Sequence, residues 1–375
     1  MSTDIRAAEP GRSDRTADPL RILLVAPPML PVPPPTYAGT ERVVAALGDE
    51  LHRRGHHVTL VASGDSHVPY EHIPTIDQSL WSTGYLGELA GYMQQTIEVA
   101  WRASERFDIV HSHMEHHSFV FAEHCETPVI TTMHGRLDAA GIPELMVAHP
   151  DVALVAISDS QRRFFPDQRW VATIHHGLPL SDMPFEPEPG DYLAFVGRIT
   201  TEKGIREAIE LSRETGIRLK IAAKVHLASE HAHFDEVVQP AIDAGEVDFL
   251  GELGPEERDP LYAGALATVM LGGWPEPFGL VAIESMATGT PVIARRAGAL
   301  VETVKHGETG FIVDDVGEAA LAVGRVAELD RTAIREQALR RFSPGRMADE
   351  YEAAYRQVIA ERRSGVVGAV AASRA

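Results

Sequence analysis

The sequence predicts an α/β protein built from two doubly wound, Rossmann-like domains that face one cleft. Three observations carry this. Short apolar runs rich in β-branched residues alternate with amphipathic helical stretches, the pattern of parallel strand–helix–strand units. The alternation stops once, at the proline-rich, acidic stretch LPLSDMPFEPEPGD (Leu178 to Asp191), and then restarts. The length of 375 residues also exceeds what one ordinary core organises, so two domains are expected.

Arg21–Pro27 (RILLVAP) reads as a buried parallel strand, kept from becoming a helix by Pro27 and Pro28. After a proline-rich loop ending in Tyr37-Ala38-Gly39, Thr40 is placed to cap a helix running to about Arg54. Its Val43, Val44, Leu47 and Leu51 fall on one face. Gly55 stops it, and His57–Ser63 is the next strand. Phe107–His111, Pro128–Thr132, Asp151–Ile157 and Ala172–His175 read as further strands. Beyond the linker, Tyr192–Val196 is a strand and Gly204–Thr215 a helix. Leu219–Ala223, Val247–Leu250, Ala267–Leu271 and Pro291–Ala294 then alternate with helical segments. The last helix, about Gly345–Arg363, carries Met347, Tyr351, Ala354, Tyr355 and Ile359 on one side. The expected organisation is a disordered leader (1–19), a first domain (20–180) completed by the last helix (about 345–363), a second domain (190–344) and a flexible tail (364–375). Ligands of such sheets sit beyond the carboxyl ends of the strands, so both domains should aim their loops into the cleft.

Acidic residues outnumber basic ones, 54 to 34, for a formal charge of −20. Such a surface repels nucleic acid and anionic lipid, leaving at most peripheral membrane contact. An anionic ligand must therefore be met by a local cluster of cations and backbone N–H groups. The single cysteine, Cys125, excludes an internal disulfide and reads as a small buried hydrophobe. A reducing, cytoplasmic setting is expected. No run of about 18 apolar residues is present that would span a membrane.

The richest stretch for chemistry is Leu266 to Ala294. Its glycines and prolines hold the chain extended until a helix starts near Leu280, whose first N–H groups suit a phosphate. Glu276 and Glu284 bracket that start. Carboxylates repel phosphate, so as ligand contacts they suit sugar or ribose hydroxyls; equally, they fit a helix-dipole glutamate and a loop charge. In FVGRITTEKG (Phe195 to Gly204), Gly197 frees a turn after a strand, and Arg198 and Lys203 are what a diphosphate needs; two solvated surface cations are the alternative. Gly39, before another helix, permits close approach to an anion. No G-x-G-x-x-G follows the first strand, which counts against a nicotinamide or flavin site. Among 18 histidines, the clusters HSHMEHH (His111 to His117) and HLASEHAH (His226 to His233) read mainly as structural or solvated residues, with metal binding the lesser reading. His134, after the strand PVITTM, is placed to meet a sugar hydroxyl or a leaving group. The aromatic residues Tyr70, Trp81, Tyr85, Tyr92 and Trp101 read as core packing ahead of an acceptor surface.

Together these pieces resemble the retaining glycosyltransferases of family 4, which have the GT-B fold. EPFGLVAIE (Glu276 to Glu284) matches that family's E-x7-E signature, VGRITTEKG its phosphate loop and TTMHG its donor-facing histidine. ATGTPVIARRAGALVETV and YAGTERVV resemble the segments after the second glutamate and on the acceptor side. The resemblance implies transfer of a sugar from a UDP- or GDP-linked donor to an unidentified hydroxyl acceptor, with retention and without metal or cofactor. Arg198 and Lys203 would hold the diphosphate and Glu284 the ribose. Glu276 would meet donor-sugar hydroxyls, with the N–H groups of Phe278, Gly279 and Leu280. His134 would touch the sugar or leaving phosphate, Gly39 the β-phosphate, and the strand containing Val247 and Phe249 the base. Two departures stand out. Ala38-Gly39 replaces a usual Gly-Gly, and His176-Gly177 replaces Asn-Gly, with His176 expected only as a left-handed turn residue. A sugar-nucleotide epimerase or hydrolase on the same scaffold, or a non-catalytic sugar-nucleotide binder, are the competing readings.

Overall fold

The computed structural model describes residues 18–35, 38–85 and 87–364. Most of the expected leader and tail, and Tyr37 of YAGTERVV, lie outside these residues. Among them, thirteen strands form two sheets in which every pairing is parallel. The first contains β1 (Arg21–Val25), β2 (His57–Ala62), β3 (Glu71–Pro74), β4 (Ile109–Ser112), β5 (Val129–Met133), β6 (Ala153–Ala156) and β7 (Trp170–Thr173). The second contains β8 (Tyr192–Arg198), β9 (Arg218–Lys224), β10 (Val247–Gly251), β11 (Ala267–Met270), β12 (Val292–Arg295) and β13 (Gly310–Val313). Their orders are β3-β2-β1-β4-β5-β6-β7 and β10-β9-β8-β11-β12-β13. Each sheet therefore reverses direction once, between β1 and β4 and between β8 and β11. A crevice opens at such switch points, beyond the strand ends.

Parallel strands covered on both faces must be apolar throughout, and Ile22, Leu23 and Leu24 of β1 are fully buried. Two strands escaped the sequence reading. β3 is a partly exposed edge strand (Glu-His-Ile-Pro) with no apolar alternation, held by Thr59 Oγ1 donating to Glu71 (3.0 Å) and an Arg106–Glu71 ion pair. β13 is only four residues long and opens on Gly310, packed so closely that a Cβ there would lie 2.0 Å from the Val292 carbonyl oxygen.

The helix Thr40–Arg53 buries Val43, Val44, Leu47 and Leu51 completely. Each such side chain contributes about 1.5–3 kcal/mol. Its cap differs from expectation: Thr40 is already helical, and Gly39 occupies the cap position with no side-chain bond. At this end the cap residue supplies no side chain, and among the described residues the Glu41 carboxyl meets its own backbone N–H.

Residues 178–191 form neither strand nor helix, yet they are tied down. Leu178, Leu180 and Met183 are buried, and the helix Arg331–Arg341 clamps the stretch. Arg335 donates to Ser181 O (2.8 Å) and Met183 O (2.9 Å), and Arg331 Nε donates to Glu186 O (2.7 Å). The C-terminal helix Pro344–Arg363, capped by Ser343, crosses back to the first domain. Its Tyr351 hydroxyl meets Thr132 Oγ1 (2.8 Å), its Tyr355 hydroxyl meets His111 Nδ1 (2.7 Å), and its Glu352 pairs with Arg54 (2.8 Å). One continuous apolar core runs from β1 through the helix Leu280–Ala287 to this C-terminal helix, joining the two domains. Among the described residues, no helix is long and apolar enough to cross a membrane.

Candidate functional site

At the second sheet's switch point, the loops after β8 and β11 lie backbone against backbone. A Cβ on Gly204 (φ 77°) would sit 2.3 Å from Gly272 N, and one on Gly272 would sit 2.0 Å from Glu202 O. Only glycine fits both places. This contact brings Lys203 Nζ to 2.7 Å from Glu276 Oε2 and 4.4 Å from the centre of the Trp274 ring. Arg198, at the end of β8, lies 3.5 Å from Glu230 and 3.9 Å from Glu202. Both expected phosphate cations thus already have carboxylate partners.

Glu276 is fixed by its backbone. Ala299 N donates to Glu276 O (2.7 Å), and Gly298 (φ 56°) leaves no room for a Cβ, which would fall 2.3 Å from Glu276 N. Gly279 (φ 90°) then turns the chain into the helix Leu280–Ala287, again without a side-chain cap. Opposite lies Gly39, whose notional Cβ is 3.7 Å from Leu280 Cδ1. Two uncapped helix starts, one from each domain, therefore meet across the cleft, and both favour negative charge. Glu284 is enclosed. Its fully buried carboxylate pairs with Arg42 from the first domain, accepts from the Tyr262 hydroxyl (3.2 Å) and lies 3.9 Å from Arg258. Phe278 is buried edge-on to His176, while the preceding Pro277 carbonyl accepts from Ser158 Oγ (2.8 Å). Gly197 lies within β8, with room for a Cβ.

The first domain contributes a line of imidazoles from the ends of β4, β5 and β7. His113 Nδ1 lies 2.8 Å from His134 Nε2, and His134 stacks on His176 at 5.2 Å between ring centres. Behind them His111 bonds Tyr355 and, through Nε2, Thr132 Oγ1 (2.7 Å). Burial pushes His134 down to about 3 and lowers His111, His113 and His176 well below their usual value, so all four rings are neutral. Glu115 supports the turn after β5 by accepting the His134 N–H (3.2 Å), from a backbone position of φ 51°.

Several expectations are corrected here. His176 is not a left-handed turn residue; among the described residues Glu115 is the non-glycine with positive φ, and His176 is a buried ring of the site. Within the cluster at His111–His117, His111 bonds two hydroxyls, His113 bonds the His134 imidazole instead of a carbonyl or water, and His117 is exposed. Among the described residues, no group of three or more His, Cys, Asp or Glu is arranged to hold a metal ion. Val247 begins β10, at the end of the strand away from the cleft, and its side chain is in the core; Phe249 packs edge-on against Phe234. The aromatic residues divide as well: Trp81 and Trp101 are 50% and 44% exposed, so neither is core. Cys125 is buried beside Ser104, as expected. His113, His176, Glu115 and Arg42 were missed as site residues. The histidine cluster was the one sequence signal, and its partners come from other strands.

Residues 37–181 match the family model described as Glycosyltransferase Family 4, and residues 182–340 match that described as Glycosyl transferases group 1. The chain is 31% identical over 247 residues to a D-inositol 3-phosphate glycosyltransferase of Acidothermus cellulolyticus, covering 60% of this chain and 53% of that protein. It is 29% identical over 265 residues to a glycogen synthase of Mycobacterium tuberculosis, covering 63% of this chain and 64% of the relative. The chain thus spans between half and two thirds of these relatives' lengths. Among solved structures, AviGT4, a glycosyltransferase involved in avilamycin A biosynthesis, superposes with a TM-score of 0.67 at 25% identity, covering 91% of this chain and 98% of that one. With two family matches meeting end to end over a pair of parallel-sheet domains of the GT-B type, the chain belongs to the family 4, group 1 glycosyltransferases.

Proposed function

We propose that the chain transfers a hexose-type sugar from a UDP- or GDP-linked donor to a hydroxyl acceptor, with retention at the anomeric carbon and without a metal ion. The observation that carries this reading is the convergence, at one switch point, of Lys203, Glu276 and two uncapped helix starts from opposite domains. In a chain of charge −20, this is where a diphosphate finds positive potential. Lys203 and Arg198 leave their carboxylate partners for the phosphates, and the N–H groups of Gly279 and Leu280 donate to phosphate oxygen. Glu276, released from Lys203, accepts donor-sugar hydroxyls. Glu284 takes the ribose by sharing its carboxylate with Arg42. Phe278 and His176 close the wall behind His134.

The bond from the anomeric carbon to the diphosphate oxygen breaks as the acceptor oxygen bonds the same face of the sugar. The acceptor's proton passes to the departing phosphate. Charge that develops on that phosphate is stabilised by fixed donors, which lowers the barrier. Neutral His134 hydrogen-bonds the sugar or leaving group without adding charge. The test is turnover of UDP-glucose and GDP-mannose by the full chain, with and without EDTA, and the anomeric configuration of the product by NMR. Lys203→Ala should lower kcat by about 100-fold or more. Activity within a few-fold of the wild type would remove Lys203 from the proposed role, and a rate lost to EDTA and restored by a divalent ion would overturn metal independence.

A further inference from the structure

The first sheet has its own switch point, between β1 and β4, and a cavity of about 440 Å³ opens there beside Gly39. Its apolar wall is formed by Met29, Met93, Met114 and the half-exposed ring of Trp81. Its polar wall has two carboxyl groups, Glu41 and Glu115, and among the described residues no lysine or arginine lines it.

Glu41 is the unusual member. It is 6% exposed, in the first turn of the helix Thr40–Arg53, and among the described residues its carboxyl meets no side-chain partner, only its own backbone N–H. Burial pushes it up to about 7. A buried carboxyl whose one contact is its own backbone N–H keeps acceptor capacity that a donor at the cavity can meet. Among the described residues, His113 Nε2 and His116 Nδ1, in the same wall, are buried without hydrogen-bond partners. Unmet hydrogen-bonding capacity is thus gathered around one apolar-floored cavity that adjoins the donor side through Gly39.

We propose that this cavity selects an uncharged, polyhydroxylated acceptor, a neutral saccharide or polyol, whose hydroxyls donate to Glu41 and Glu115, and that it rejects acceptors carrying a phosphate. The proposal rests on the transferase reading above. A sugar hydroxyl satisfies a buried carboxyl group in either protonation state, and the C–H face of a sugar ring packs on an indole and thioethers. A phosphate placed here would bring its charge into a wall where, among the described residues, no lysine or arginine offsets it, and the ionised share of Glu41 and Glu115 would repel it. Glu41 is the specificity-determining residue. This separates the chain from the relative whose name specifies an inositol phosphate.

The experiment uses the full chain and two matched acceptor pairs, glucose with glucose 6-phosphate and myo-inositol with inositol 3-phosphate. Thermal shift with UDP and GDP is read first, at the phosphate site that meets this cavity at Gly39. No shift with either nucleotide would overturn the transferase reading and this proposal with it. With nucleotide binding in hand, nucleoside diphosphate release above donor hydrolysis should favour the neutral member of each pair by tenfold or more in kcat/KM. Glu41→Gln should raise KM for the neutral acceptor several-fold and narrow the neutral-to-phosphorylated ratio, while the nucleotide shift stays as it was. If none of the four is transferred, saturation-transfer NMR on the nucleotide complex reads the same preference as binding. Preference for a phosphorylated member, no binding of either neutral compound, or a Glu41→Gln variant with unchanged KM and ratio would each overturn the proposal and leave the donor reading standing.

Discussion

Four imidazoles in line, His111, His113, His134 and His176, impose a proton arrangement as well as a shape. All are neutral, so the 2.8 Å contact between His113 Nδ1 and His134 Nε2 holds a single proton, and His113 fixes which His134 nitrogen faces the cleft. Replacing His113 by Phe keeps a ring but removes that bond. We expect kcat to fall about tenfold with little change in donor KM, whereas a structural role alone would lower the melting temperature and leave the kcat–KM split untouched. The same rings set an acid limit on stability. The unfolded chain protonates histidine near 6.5, and the folded chain holds His134 down at about 3. Between these values the unfolded state binds more protons, so the stability is complete above about pH 6.5 and is lost as the pH falls toward 3. Each such ring contributes up to about 1.4 kcal/mol per pH unit. Calorimetry should show the melting temperature dropping steadily from pH 6.5 to 5; a flat profile would contradict neutral burial.

At the scale of elements, loops and short helices decide where the site residues go. Gly298 is one case, because a Cβ would strike the Glu276 backbone; Gly298→Ala should displace that loop and cost more activity than its distance from the chemistry suggests. The short helix Asp159–Arg162 is another. Its Asp159 and Ser160 N–H groups donate to the Glu302 carboxylate of the other domain (2.8 and 2.6 Å), and His175 lies 3.3 Å from the same group. Burial alone would raise the Glu302 pKa, but the His175 contact and these N–H groups outweigh it and hold the carboxyl below its usual range. The latch is therefore intact above the ordinary glutamate pKa of about 4.3 and lost as the pH falls through the lower folded value. Glu302→Ala should open the cleft, read as a larger radius of gyration by solution scattering; an unchanged radius would show the contact to be dispensable. The proline-rich linker is clamped by Arg331 and Arg335, so Arg335→Ala should lower the melting temperature by several degrees.

For the whole molecule, the domains are joined twice: permanently by the C-terminal helix and its shared core, and across the cleft by polar contacts that include Arg42 with Glu284. A polar cross-cleft contact that a nucleotide can replace is suited to opening and closing, because little apolar surface is lost. Arg42→Ala should free Glu284 toward ribose and alter nucleotide affinity measured by calorimetry, with no change in the Tyr351 and Tyr355 packing that fixes the C-terminal helix.

What the sequence determined alone was the architecture and the parts carrying chemistry. Strands such as RILLV and helices such as Thr40–Arg53 declare themselves because local propensity and apolar periodicity agree with their final burial. The motif residues Lys203, Glu276 and His134 were legible because loop glycines and prolines mark the carboxyl ends of strands. The weak edge strand β3 was not legible, since its stability comes from a neighbour it meets only in the sheet. Tertiary structure alone decided that His113 bonds His134 across 21 positions, that Arg42 reaches Glu284 across 242, and that Glu41 lies buried against a cavity. Each depends on strand order and domain closure. Those are set by the summed burial of two sheets and one returning helix, which no local stretch of sequence contains.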